Sequence, residues 1–512
     1  MIIKNTSHEK LKEWSERINK HIDANFSLVE TRFVDLGTKI VRILNYAKNF
    51  TPLMQKQLTY TLKDSSEFKD SATSYDATIV LWQENNVNEF AKTIDKDFDP
   101  RHNIRARIGM LLNKERYIAV KAFDENYSHT IPLMDIHDGF VNLFDRDTNT
   151  YFYGAQNLEP EEFIKQGHIF VQIFNKILRT KDSNLAHGAV VGIDDKGILL
   201  CARGQRGKST LAVLSMMESF EYVSDDYLVL EKDGKSLYTH PIYSIITLSP
   251  RMYNELYEKL EGTRFVSNNA RKDKYVINIA KFHPQFRRKY PVEVCVFPEI
   301  VADSKPSICL CVSQEKGRAI TQLIQSTVSQ VQDINDHATI LKLIDMVKDF
   351  EFYKINLCSD IAQNTQCLRD FITTYKRQKS NIKLEKWLID ITFDIANIID
   401  SENGIIYTMN QTATNIYENL IKGVSKEAII SAIESKINTK RNIKWQVEKL
   451  AHELHSLGLL DSKATQTSQN NEPNIKFDFL TENHYNISFL KHEKLGTIEL
   501  ITPNATNKGE SK

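Results

Sequence analysis

Apolar and polar positions divide the chain into zones of different period. Residues 1–60 are polar and mostly carry a helical pattern. Between 76 and 155 short apolar runs take over. DATIVLW, RYIAVKAF and GFVNLFD, each bounded by polar turns, predict strands. In LEPEEFIKQGHIFVQIFNKILRT, residues Phe163, Phe170, Ile173, Phe174 and Ile177 fall near helical spacing and predict a helix. HGAVVGIDDKGILLCA, residues 187–202, places two apolar runs around Asp194-Asp195-Lys196-Gly197, the pattern of a β-hairpin. The second run leads into RGQRGKST and then LAVLSMMESF, which is apolar on nearly every side, as a buried helix is. EYVSDDYLVLEKDG reads as a strand, and strands alternate with helices to about residue 375.

TYKRQKSNIK, residues 374–383, is basic, lacks apolar periodicity and reads as a linker. A compact unit follows. Two short strands flank Asp400-Ser401-Glu402-Asn403-Gly404. Ala413, Ile416, Tyr417 and Leu420 form a helical stripe stopped by Gly423, and Ser425 is placed to cap the next helix. Val447, Leu450, Ala451, Leu454 and Leu457 form a third stripe. This is a β-hairpin with three helices, a winged-helix layout. SKATQTSQNNEPN reads as a polar spacer, and the tail after it has some strand character.

Composition narrows the function. The 512 residues are 41% hydrophobic and 26% charged, ordinary for a globular chain of roughly three domains. Lys+Arg and Asp+Glu are both 66, which argues against a chain built to grip nucleic acid or an anionic membrane. No run reaches the roughly 18 apolar residues of a membrane helix, and the charged N-terminus does not read as a secretory signal. The six cysteines are too few and scattered for a disulfide framework, so a reducing cytoplasm is expected. Cys309 and Cys311, in the apolar run SICLCVS, read as buried thiols rather than metal ligands.

Residues 202–209, ARGQRGKS, nearly match the phosphate-loop pattern G-x-x-x-x-G-K-[ST], with Ala202 in place of the first glycine. In such a loop, N–H groups converge on one anion at a helix N-terminus. Gly204 and Gly207 permit the backbone angles and the close approach, and Arg203 and Arg206 add positive charge. Lys208 can reach terminal phosphates and Ser209 can hold Mg²⁺; Gln205 and Thr210 complete the candidate nucleotide-contact set. Asp225 and Asp226 end a strand 17 positions after Lys208 (225 − 208). Adjacent carboxylates are ordinarily a solvated turn; after this loop they suit metal binding and proton acceptance. The strand from His187 could carry its imidazole back towards Asp225.

The order His187-Gly188, hairpin, RGQRGKST, SDD resembles HPr kinase/phosphorylase and its relatives in peptide-modification pathways. The resemblance covers roughly 185–375 and is specific over about 187–230. It implies an α/β, phosphoenolpyruvate-carboxykinase-like P-loop serine kinase using ATP and Mg²⁺. It also implies Asp225 as base, His187 as its assistant, Lys208 on phosphate, and Ser209 with Asp226 on the metal. Kinases of this family often assemble, so a homo-oligomer is possible. The acidic, glycine-rich second signature of bifunctional members is missing; PIYSIITLSPRM, residues 241–252, stands there. That argues against phosphorylase activity and against HPr as substrate.

The run from the strands through IIYTMNQTATNIYENL to LGLL resembles a PqqD-like domain. Those domains bind a precursor (leader) peptide as an added strand at a sheet edge, beside the third helix. That edge corresponds to about Gly404–Asn410, which implies contacts from Ile405, Tyr407, Met409, Leu450 and Leu454. A plain helical packing module is the bland reading. A DNA-binding winged helix is disfavoured, because NIKWQVEKLAHELHSLG mixes Lys, Glu and His. The expected plan is an α+β region (1–185), a kinase-like core (186–375), a linker (376–384), a PqqD-like winged helix (385–461) and a spacer with tail (462–512). The expected function is phosphorylation of a hydroxyl, Ser by the resemblance, on a ribosomally made precursor peptide. The alternative is a non-catalytic nucleotide-binding adaptor that delivers such a peptide to another enzyme. A kinase for a small molecule or carrier protein would leave the C-terminal module unnecessary.

Overall fold

The computed structural model describes residues 8–68, 74–86, 89–90, 93, 140–145, 148–156, 168–204, 206–260, 264–266, 275–301, 305–330, 337–378, 380–392, 394–436, 442–460, 487–492 and 498–500. The expected strand RYIAVKAF, the helix over 158–167, Gln205 and the spacer 462–474 lie outside the described residues. The chain divides into two compact units. One comprises Met1–Arg105, Phe123–Gln332 and Lys342–Leu384; the other comprises Ala106–Ala122, Asp333–Leu341 and Glu385–Lys512. No described helix is long and apolar enough to cross a membrane.

Residues 8–60 are not mostly helical. Helices α1 (His8–Asn25) and α2 (Phe50–Gln57) enclose strands β1 (Glu30–Asp35) and β2 (Ile40–Asn45). In β2 Val41, Ile43 and Asn45 are buried and their neighbours half-buried, a period of two that betrays a strand. With β3 (Leu62–Asp64), β4 (Ala77–Glu84), β5 (Phe140–Asp145) and β6 (Thr150–Gln156) they form a sheet ordered β3-β1-β2-β4-β6-β5.

After α3 (Val171–Ile177) come β7 (Ser183–His187), β8 (Ala189–Ile193) and β9 (Lys196–Leu200). The hairpin forms as expected between β8 and β9. Asp194 and Asp195 both take positive φ, at 51° and 58°, the requirement of a two-residue turn matched to strand twist. Next are α4 (Lys208–Met217), β10 (Glu221–Ser224), β11 (Tyr227–Asp233), β12 (Ser236–Pro241), β13 (Ile245–Leu248), α5 (Pro250–Glu255), α6 (Tyr257–Leu260), β14 (Arg264–Val266) and β15 (Tyr275–Asn278). Then follow β16 (Tyr290–Ile300), β17 (Ser307–Leu310), α7 (Ser313–Gln330), α8 (His337–Val347), β18 (Phe352–Leu357) and α9 (Ile361–Thr374).

The second sheet runs β10-β8-β9-β16-β12-β11-β7, with β18 on β16 and β17 on β18. Strand β16 is parallel to β9 and β18, giving the mixed sheet of an α/β layer. Helix α4 buries Leu211, Ala212, Val213, Leu214, Ser215 and Met216, as its nearly unbroken apolar sequence requires. Its side chains share a core with Val191, Leu200, Val296 and Leu368. A further core joins Val41, Ile43 and Leu81 of the first sheet to Leu185, Tyr227 and Val229 of the second.

Two expectations are corrected. Cys309 is exposed, because β17 is an outer strand that turns most of its side chains to solvent; Cys201, Cys295 and Cys311 are buried. Residues 376–384 are strapped down rather than free: Lys316 Nζ donates to Lys348 O (2.6 Å) and Ser380 Oγ (2.9 Å), and Ser313 Oγ donates to Lys383 O (3.1 Å). The Lys316 ammonium is fully buried, so these acceptors replace the water it loses.

The second unit contains β19 (Trp387–Thr392), β20 (Ile395–Asp400), β21 (Ile405–Met409), α10 (Gln411–Ile421), α11 (Lys426–Glu434) and α12 (Ile443–Ser456). The expected hairpin is therefore a three-strand meander. Ser425 caps α11 by accepting from Ala428 N–H (3.2 Å). Two tail strands, β22 (Phe489–His492) and β23 (Ile498–Leu500), extend the sheet to the order β19-β20-β21-β22-β23.

Candidate functional site

Strand β9 delivers the chain through buried Cys201 and Ala202 into the loop, and the loop ends in α4. Gly207 caps that helix at φ +88°, and a Cβ there would stand 2.6 Å from Leu357 Cδ1. The left-handed backbone is what favours glycine here, while the Leu357 side-chain tip could move aside. Gly204 does not show the expected left-handed backbone. Its φ is not among the positive ones, and a Cβ would meet nothing within 4 Å.

The N–H of Arg203 donates to Gln322 Oε1 (3.2 Å), which ties the loop to α7. Arg206 Nη1 lies 3.9 Å from Glu299 Oε1, and Arg318 Nη1 lies 3.3 Å from the same oxygen. Glu299 thus offsets part of the positive charge expected at the loop mouth. Ser209 and Thr210 occupy the first turn of α4 and are half-buried.

Lys208 is buried, and its Nζ donates to Asp225 Oδ1 at 2.7 Å, with Asp226 Oδ1 at 3.6 Å. Burial disfavours its charge, but the two carboxylates outweigh burial and raise its pKa above the ordinary lysine value. Asp225 is fully buried, and its second oxygen, Oδ2, has no hydrogen-bond partner among the described residues.

Asp225 and Asp226 form the short connection between β10 and β11, with Asp226 at φ +69°. The pairing of β11 with β7 sets Tyr227 opposite His187. That register brings His187 Nε2 to 3.4 Å from Asp226 Oδ1. The carboxylate against His187 is therefore Asp226, where Asp225 was expected. The reason is the separate strand β7: His187 ends it, instead of opening the hairpin. The N–H of His187 donates to Thr327 Oγ1 (2.9 Å), so α7 secures this corner as well as the loop.

Sequence reading missed His168. Its Nε2 lies 3.8 Å from Asp226 Oδ2, and its ring packs against Tyr227 (4.8 Å) and Tyr243 (4.5 Å). Burial raises the Asp226 carboxyl, but His187, Lys208 and His168 together hold it well below the usual carboxylate range. Burial and the Lys208 charge push His187 below the ordinary imidazole value, against the pull of Asp226. The result is a buried ammonium beside two adjacent Asp side chains, Asp226 held toward its ionised form and His187 toward its neutral form, all behind a loop and helix N-terminus suited to an anion. Among the described residues no cluster of three or more His, Cys, Asp or Glu is arranged to hold a metal by itself.

The residues expected to meet a peptide behave differently. Tyr407, Met409, Leu450 and Leu454 are buried in the core of the second unit, and Ile405 is half-buried against it. The edge of β21 expected to receive a peptide is already paired with β22: Tyr407 opposes Lys491 and Met409 opposes Phe489. The Tyr407 ring stacks on Phe489 of the chain's own tail.

No family profile matches the chain, and no curated protein matches it. Among solved structures the chain is similar to the HPr(Ser) kinase/phosphatase from Coxiella burnetii. The identity is 12%, over 36% of this chain and 95% of that one, with a TM-score of 0.22.

Proposed function

We propose that the first unit is an ATP-dependent kinase that transfers phosphate to a hydroxyl, a serine by the sequence resemblance, of a precursor peptide captured by the second unit. The observation that carries this reading is the ion pair of Lys208 with Asp225 directly behind the Gly207-capped helix N-terminus, with Asp225 Oδ2 left unpartnered. A buried carboxylate oxygen without a donor is costly unless a ligand supplies one. A substrate hydroxyl supplies it. The hydroxyl proton passes to Asp225 Oδ2 as the oxygen attacks the γ-phosphorus; the new O–P bond forms as the bond to the β-phosphate oxygen breaks and ADP leaves.

Lys208 holds the phosphate oxygens, and Gly207 with the first turn of α4 presents N–H groups to them. Ser209 and Asp226 are the residues that would hold Mg²⁺. Asp226 suits that role because its neighbours keep it ionised. Mg²⁺, when bound, would neutralise charge on the phosphates, and it needs few protein oxygens because phosphates and waters supply the rest. His187 and His168 orient Asp226.

The test is direct. The full chain is mixed with ATP, Mg²⁺ and the short peptide encoded nearest its gene, and the peptide's intact mass is taken. A gain of one phosphate, lost in a folded Asp225→Asn variant, is expected. Unchanged transfer in that variant sinks the proposed mechanism. ATP binding without transfer to any peptide favours the adaptor reading.

A further inference from the structure

The sheet of the second unit continues past β21 into two strands of the chain's own tail, β22 and then β23. Strand β22 runs antiparallel to β21 over Ile406–Met409. Phe489 is fully buried, and its ring stacks on Tyr407 at 5.5 Å and 24°. Ile487, two positions earlier, is buried in the same core. Asn410 clamps the entry: its N–H donates to Ser488 O (3.0 Å), and its Oδ1 accepts from Ser488 N–H (3.1 Å). The same Oδ1 accepts from Ala413 N–H (3.0 Å), so one oxygen caps α10 and holds the tail. Between the end of α12 and this strand lies a run whose 462–474 portion, SKATQTSQNNEPN, is polar and without apolar periodicity.

We propose that residues Ile487–His492 are a resident occupant of a peptide-binding edge, which an incoming peptide must displace. This rests on the peptide-capture reading and deepens it. Strand addition gives affinity through main-chain pairing and specificity through alternate side chains. The occupant therefore describes the partner. It is an extended segment with an aromatic residue that stacks on Tyr407, a β-branched or aliphatic residue two positions before it, and a small residue between. Tethering makes the chain's own strand an intramolecular competitor at an effective concentration on the order of millimolar. A free peptide of equal intrinsic affinity binds the full chain correspondingly weakly, and peptides that fill the two pockets better gain entry.

The test uses a fluorescein-labelled peptide with the sequence of residues 484–493, titrated by anisotropy against the full chain and against a chain ending at residue 486. The shortened chain is expected to bind it at least about tenfold more tightly. A labelled peptide carrying alanine at the Phe489 position should bind neither. Equal affinity for both chains overturns the proposal, and so does absence of binding to a shortened chain that melts cooperatively. Should the shortened chain not fold, full-length Phe489→Ala is titrated instead; tighter binding than the parent supports the proposal, and unchanged binding overturns it. The precursor peptide is scored separately, as competitor of the label on the shortened chain. If the tail peptide behaves as expected and the precursor never competes, the capture of that precursor fails while the occupied edge stands.

Discussion

Lys208 Nζ lies 2.7 Å from Asp225 Oδ1, and both side chains are buried. Removing one member of such a pair leaves the other charge uncompensated, at a cost of about 3–5 kcal/mol. Lys208→Met should fall in that range. Asp225→Asn should cost less, because Asp226 at 3.6 Å still faces the ammonium. Denaturant melts of both singles and the double variant measure the coupling. The double should lose less than the sum; simple additivity would show that the two groups do not act as a pair. Activity tests at these positions therefore need a check that the variant is folded.

The two loop glycines should differ. Gly207→Ala imposes a side chain on a backbone at φ +88°, worth about 1–2 kcal/mol, with a contact to Leu357 Cδ1 besides. Gly204→Ala enters open space and should change stability by less than about 0.5 kcal/mol. Calorimetric titration with ATP should show the loss of affinity at 207. A loss confined to 204 would reverse the assignment.

His187 is buried with its pKa held down, first by burial and then by Lys208, against the opposing Asp226. In the unfolded chain it titrates near the ordinary imidazole value, about 6.5. Below that pH the unfolded state takes up a proton that the folded state resists, so stability falls as pH drops from about 6.5 toward the folded value. Melting temperatures at pH 7 and pH 5 should fall further for the parent than for His187→Gln. An equal fall in both would mean that His187 is not an acid-sensitive group.

Helix α7 braces the site at two points, Gln322 on Arg203 N–H and Thr327 on His187 N–H. Thr327→Val keeps the shape and leaves a buried N–H without its acceptor, a loss of about 1–3 kcal/mol. The double variant Thr327→Val/His187→Gln should keep most of that loss, since the orphaned group is backbone. Recovery in the double would place the effect in the imidazole instead. Chemical denaturation reads both.

Legibility followed distance along the chain. The hairpin 189–200 was readable because Asp194 and Asp195 and the two apolar runs lie within one local pattern. Helix α4 was readable from a nearly unbroken apolar run, and the loop from Gly207-Lys208-Ser209. Residues 1–60 were misread because the two-residue period of β2 is short and lies between two helices. His168 carried no signal, since only the packing of Tyr227 and Tyr243 brings it to Asp226.

The linear sequence thus determined where the turns and caps fall and which residues are candidates for phosphate chemistry, because those depend on local backbone geometry and near-neighbour spacing. Tertiary structure decided how they pair. The register of β11 on β7 set His187 against Asp226, side chains from α7 fastened loop and imidazole, and the pairing of β22 with β21 filled the sheet edge. Such contacts join residues far apart in sequence, and only the packing of elements brings them together.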